Sequence, residues 1–244
     1  NEFLLFRTDK HIKRLSQSAK FLLTELKEDY VFKALEMVIK INKPNKPIYI
    51  RPFVFASGNG FHASPANEYK FIIACAPSGS YFSGKVKVLI EETYSRAANG
   101  GVGYAKAGGN YAGQFYPTKL AADKGYQQVI WTDDNTHEFI EEAGAMNVFV
   151  RINDTLMTAP TSDRILDGIT RREVIKIAKS KGIKVIERKI SPDEMKDFVG
   201  CFLTGTAAEV TPVSQISSYN FKVCDMITDL NKSYQNLVRK KSAA

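Results

Sequence analysis

Apolar positions along the chain recur with two periods, and the switches between them predict the order of elements. NEFLLFR at 1–7 reads as a strand. Ile12, Leu15, Ala19, Leu22 and Leu23 then fall on one stripe of a helical repeat, which predicts a helix over 10–26 capped by Asp9. Phe32, Leu35, Val38 and Ile39 predict a second helix over 30–40. IYIRPFVFA at 48–56 alternates and is rich in β-branched and aromatic residues, so it reads as a strand with Tyr49 and Arg51 on one face. YKFIIACAP at 69–77 reads as a buried strand, and the segments at 42–47 and 57–66 as loops.

PSGSYFSG at 77–84 concentrates proline, serine and glycine and reads as an interdomain connection. Beyond it the pattern becomes strand-rich. KVKVLIEE at 85–92 and YQQVIWTD at 126–133 are strands, with a helix over 113–124 between them. FIEEAGAMNVFVRI at 139–152 places Glu142 just before a strand, and Asn153-Asp154 turns the chain into TLMTAP. LDGITRREVIKIAKSKG at 166–182 reads as a strand-to-helix junction, with a Thr170/Glu173 capping box and Gly182 just past the helix end. IKVIERKI is a strand, and Ser191, Pro192 and Glu194 open a further helix. CFLTGTAAEVTPV at 201–213 reads strand–turn–strand, and a helix over 222–240 closes the chain. These elements predict an α/β (α+β) protein in two parts. A small α+β domain spans 1–76, a linker 77–84, and a larger β-rich domain with flanking helices 85–244.

Composition changes this picture little. A hydrophobic share of 44% in 244 residues suffices for sizeable cores. No apolar run approaches the ~18 residues of a membrane span, and no signal-peptide pattern opens the chain, so no membrane association is expected. Cys75, Cys201 and Cys224 lie far apart without metal-ligand spacing and read as reduced, cytoplasmic core thiols. The three histidines are scattered, so no metal site is expected. The net charge of +8 suits anionic ligands. Its lysines and arginines occupy ordinary helix faces and the tail, so no nucleic-acid partner is expected.

The candidate chemistry centres on SRAANGGVGYAKAGGNYAG at 95–113. Lys106 stands there among small residues that leave room for a planar group, and a desolvated lysine amine suits Schiff-base chemistry. The helix start at Ile169 and Thr170 offers free N–H groups and a positive dipole end to a phosphate. Tyr49 and Arg51 together can bind a carboxylate.

AKAGGNYA at 105–112, preceded by RAANGGVG, resembles the lysine segment of branched-chain amino acid aminotransferases, which are fold-type IV enzymes using pyridoxal 5′-phosphate (PLP). IYIRP at 48–52, SGSYFSG at 78–84, EEAGAMNVF at 141–149, LDGITRR at 166–172 and TGTA at 204–207 extend the resemblance from Phe6 to Val213 in family order. It implies transamination between leucine, isoleucine or valine and 2-oxoglutarate, in a cytoplasmic homodimer. It assigns Lys106 as the catalytic amine and Glu142, rather than Glu141, as the carboxylate at the pyridine nitrogen. Tyr111 would partner the ring oxygen, and Leu166 would pack on the ring. Arg14, Arg96, Ile169, Thr170 and Thr206 would hold the phosphate. Tyr49, Arg51, Tyr81 and the Ala207 amide would meet the substrate. The loop at 57–66, with Phe61 and His62, would approach the partner subunit's site, and the family has further strands ahead of residue 1. D-amino acid transamination, aminodeoxychorismate lyase chemistry and a non-catalytic basic binding protein are the alternatives. The YIRP and AKAGGNYA segments together argue against the first two.

Overall fold

The computed structural model describes residues 5–58, 60, 64–79 and 81–239. Phe61 and His62 lie outside them. The chain divides into two compact units, Asn1–Ser80 and Tyr81–Ala244. No helix among the described residues is long and apolar enough to cross a membrane.

In the first unit, two helices cover one antiparallel ribbon. Helix α1 is Thr8–Ala19, helix α2 is Glu28–Asn42, and strands β1 (Ile48–Ala56) and β2 (Tyr69–Pro77) pair from Ile48↔Pro77 to Ala56↔Tyr69. Ile12, Val31 and Leu35 form the core, backed by Ile50, Phe71 and Ile73 from the ribbon. Five expectations change here. Residues 5–7 are coil and turn rather than strand, with Arg7 left-handed at the helix N-cap. Asp9 therefore lies inside the first turn of α1 instead of capping it. The helix tightens into a 3-10 turn at Lys20–Leu22 and stops at left-handed Leu23, so Leu22 and Leu23 leave the stripe and are exposed. In α2 it is Val31, not Phe32, that turns inward. Strand β2 is half-exposed, because a two-stranded ribbon has only one covered face, and Cys75 is consequently not a core residue.

The second unit is built on a closed ring of strands. These are β3 (Val86–Glu91), β4 (Gln128–Thr132), β5 (Ile140–Ala143), β6 (Met146–Ile152), β7 (Thr155–Thr158), β8 (Lys184–Glu187), β9 (Phe198–Gly205), β10 (Glu209–Ile216) and β11 (Tyr219–Asn220). Strand β9 pairs with both β10 and β6, closing the circuit β10-β3-β4-β5-β6-β9 into a barrel, while β7, β8 and β11 extend the sheet outside it. Side chains alternate across the wall. Val148, Val150, Cys201 and Leu203 join the buried interior cluster, whereas their sequence neighbours Asn147, Phe149, Phe202 and Thr204 take the other face. Phe149 and Phe202 stack there at 4.9 Å with rings 2° from parallel. Helices α3 (Phe115–Asp123), α4 (Ile169–Ser180) and α5 (Asp225–Arg239) flank the barrel, with α4 and α5 packed against β9 and against each other.

Two local expectations are corrected in this unit. Residues 139–152 form a tight hairpin of two strands, in which Gly144 takes a positive φ of 54° between β5 and β6. Glu142 accordingly sits within β5. Helix α4 has no Thr170/Glu173 capping box. Its N-cap is Gly168 with no side-chain cap, Thr170 bonds elsewhere, and Glu173 pairs with Lys176 at 2.9 Å.

Candidate active site

The barrel register sets out the site. Glu142 on β5 is paired with Asn147 on β6, and Asn147 with Thr204 on β9. Directly opposed residues share a face, so these three polar side chains form one row across the outside of the barrel. All three are buried.

Glu142 is the most constrained group. Its Oε1 accepts from the Leu166 amide at 2.9 Å and the Asn147 side-chain amide at 3.1 Å, and its Oε2 meets Arg96 Nη2 at 2.8 Å. Burial pushes its carboxyl up, to about 7, while Arg96 and the Leu166 amide oppose the rise. Asn147 also donates to the Leu166 carbonyl at 2.9 Å, stitching the segment ahead of α4 onto the sheet. Gly168 makes that close approach, since a Cβ there would lie 2.1 Å from Asn147 Oδ1. Glu141 faces the other way, as an adjacent strand residue must, and binds Arg164 Nε at 2.5 Å. The two carboxylates that the sequence could not separate on charge are thus separated by the pleat.

The lysine segment leaves β3 and folds back through Asn110, whose amide donates to the carbonyls of Val102 at 2.6 Å and Ala105 at 3.2 Å. Lys106 follows buried Ala105 and is exposed. Its Nζ lies 3.3 Å from the Tyr111 hydroxyl and 4.7 Å from the Tyr111 ring centroid.

The remaining residues divide by place. Leu166 is buried beside Glu142's partners, and Ile169 and Thr170 are the first two residues of α4. Thr206 and Ala207 occupy the turn between β9 and β10, and Tyr81 stacks edge-on to Phe82 at 4.7 Å. Arg14, on α1, and Tyr49 and Arg51, on the more exposed face of β1, belong to the first unit. Arg96, expected on phosphate, is instead held by Glu142 and by the Arg164 carbonyl. Three residues given no role from sequence emerge here. Asn147 lies inside the EEAGAMNVF segment and Thr204 inside TGTA, so only their register was hidden. Arg164 carried no signal.

Of the seven buried side-chain atoms without a hydrogen-bond partner among the described residues, two belong to this row and its ion pair, Arg96 Nη1 and Thr204 Oγ1. A buried donor left so is costly unless a ligand meets it. With the α4 start bare of side-chain caps and a buried carboxylate at the other end of the row, the site matches a ligand with a phosphate at one end and a basic ring nitrogen at the other. PLP has that form.

Fold and site together define a class IV aminotransferase. The chain matches the family described as amino-transferase class IV over residues 2–216, and it belongs to that family. Within the family its relatives are branched-chain enzymes. It is 38% identical over 249 residues to branched-chain-amino-acid transaminase 1 of Bacillus subtilis (strain 168), covering 94% of this chain and 70% of the relative. The chain spans 63% of the length of branched-chain-amino-acid aminotransferase 2 of the same Bacillus strain and 71% of that of the Helicobacter pylori (strain J99) enzyme. Among solved structures, the branched-chain aminotransferase of Thermoproteus uzoniensis with norvaline superposes with a TM-score of 0.90 at 27% identity, covering 97% of this chain and 81% of that one. The enzyme from Thermobaculum terrenum in its PLP form gives 0.88 at 25% identity, covering 96% and 78%.

Proposed function

We propose that this chain transfers the amino group of leucine, isoleucine or valine to 2-oxoglutarate with PLP as cofactor, as a cytoplasmic homodimer in amino-acid metabolism. The observation that carries the reading is the buried row Glu142–Asn147–Thr204, which ends near the TGTA turn and is laced to the uncapped start of α4.

PLP, when bound, supplies the electron sink that makes the substrate Cα–H acidic. The chain's own residues do the rest. Lys106 Nζ is the amine that holds the aldehyde and then moves the Cα proton. Tyr111, already against that amine, orients it and donates to the ring oxygen. Glu142 holds a proton at the ring nitrogen, with Arg96 beside it favouring the charged carboxylate. The Ile169 and Thr170 amides, with Thr206 on the turn between β9 and β10, bind phosphate, and Leu166 packs on the ring. Arg14 is our further assignment for the phosphate. Tyr49, Arg51, Tyr81 and the Ala207 amide are our assignments for the substrate. Aromatic walls accept an apolar branched side chain, and a guanidinium accepts the distal carboxylate of glutamate.

An absorbance scan after incubation with PLP, followed by an amino-acid screen against 2-oxoglutarate, tests this. A visible cofactor band and turnover confined to branched-chain L-amino acids and glutamate are expected. Absence of the band, or turnover with D-amino acids alone, would overturn it.

A further inference from the structure

Thr170 is buried at 3% exposure, and its hydroxyl lies 3.2 Å from that of Tyr234, itself buried at 4% on helix α5. Either hydroxyl could donate in that pair. The chemistry at the start of α4 decides between them. A threonine hydroxyl has one proton and two lone pairs. If the proton goes to a phosphate oxygen, only lone pairs remain for Tyr234, which must then be the donor. A donor behind a donor polarises the chain, and such charge-assisted bonds are the strong ones.

Helix α5 also grips the other turn named for phosphate. Glu209 directly follows the turn that holds Thr206 and Ala207, and it accepts from Gln235 at 3.4 Å and from Arg239 at 3.0 Å. Tyr234, Gln235 and Arg239 belong to one stretch of α5, so a single helix fastens both segments. Neither contact was visible in sequence, because α5 shows only an amphipathic pattern there.

We propose that Tyr234 is a positioning residue of the cofactor site: it donates to Thr170 Oγ1 and so commits the Thr170 proton to the cofactor phosphate. This rests on the PLP reading above. It predicts an effect confined to ligands that carry the phosphate.

The test uses the full chain and two probes, PLP and pyridoxal, which lacks the phosphate. Tyr234→Phe should weaken PLP binding, followed by fluorescence quenching, on the order of tenfold, the scale of one charge-assisted hydrogen bond. Pyridoxal binding should stay equal to that of the wild type. Thr170→Val should show the same selective loss, and the double variant should lose no more than either single one. Should Tyr234→Phe fail to fold, Thr170→Val probes the same link from the other side and must still discriminate PLP from pyridoxal. Unchanged PLP affinity, equal weakening of both probes, or additive losses would each overturn the proposal. A wild-type chain that takes up no PLP would bring down the cofactor reading itself, a result distinct from a wild type that binds PLP and a variant that binds it equally well.

Discussion

Arg96 and Glu142 form an ion pair with both side chains only 3% exposed and 2.8 Å between Nη2 and Oε2. One partner comes from the lysine segment and the other from the barrel wall, so the pair ties that segment to strand β5. Burying a carboxylate is costly, and the nearby cation offsets part of that cost.

Removing the cation should therefore leave an uncompensated buried acid. Arg96→Met is expected to destabilise the apo protein by about 3–5 kcal/mol, the usual cost of breaking a buried pair from one side. Urea unfolding of the two proteins measures it. A loss indistinguishable from that of a surface arginine such as Arg172 would show that the pair contributes nothing.

The Glu142 carboxyl also sets a pH dependence. Its folded value, raised to about 7 by burial, exceeds the ordinary 4.5. The native state then holds the proton more tightly than the unfolded chain. This group's favourable contribution is fully present below pH 4.5 and is lost as the pH rises through 7, amounting to about 3 kcal/mol across the window. In the apo protein, wild-type stability should fall more steeply over that range than that of Glu142→Gln, whatever the offset between them. Parallel stability curves would contradict the assignment.

Much of this was legible in the chain because it is written locally. Strand β1 matched its alternation at both ends, and Glu142, Lys106 and Tyr111 stand in motifs whose residues are adjacent. What stayed hidden depends on register across strands. Asn147 is an unremarkable strand residue until the hairpin at Gly144 sets it opposite Glu142. The Thr170/Glu173 spacing suggested a capping box, but Tyr234, 64 residues on, binds the Thr170 hydroxyl instead. The helix expected through residue 26 failed for a different reason: a left-handed Leu23 breaks it, and no side-chain pattern announces that turn.

Gly168 is the steric hinge of the arrangement. Gly168→Ala would drive a Cβ to 2.1 Å from Asn147 Oδ1, so Asn147 must leave Glu142 and the Leu166 carbonyl. A cost of about 2 kcal/mol is expected from overpacking and lost hydrogen bonds. Gly113→Ala is the control, because a Cβ there meets nothing within 4 Å. Thermal melts of the two variants should separate clearly, and equal melting points would show that the sheet yields without strain.

The last prediction sets Lys106 against its neighbours in sequence. Under the proposed function, Lys106→Ala removes the amine assigned to hold the aldehyde and move the proton. Turnover should fall by at least ~10²–10⁴-fold, the span of general acid–base catalysis alone. The phosphate contacts are left intact, so PLP should still bind, with its visible band shifted toward that of the free aldehyde. Lys119 and Lys124 are the next lysines along the chain. Lys119 has a side chain 68% exposed and pairs with Asp123 one helical turn away, and Lys124 is exposed at the end of α3. Exposed pairs of this kind contribute little, so Lys119→Ala should leave both the band and the turnover as they are. The two lysines differ in one respect that charge does not explain. Lys106 has the Tyr111 hydroxyl 3.3 Å from its amine, whereas Lys119 faces solvent and one carboxylate. Tyr111→Phe should accordingly shift the pH titration of the wild-type visible band, and a Lys119 variant should not. If Lys119→Ala abolished the band while Lys106→Ala spared it, the register of the whole site would be wrong, and the roles given to Tyr111, Glu142 and Thr170 would fall with it.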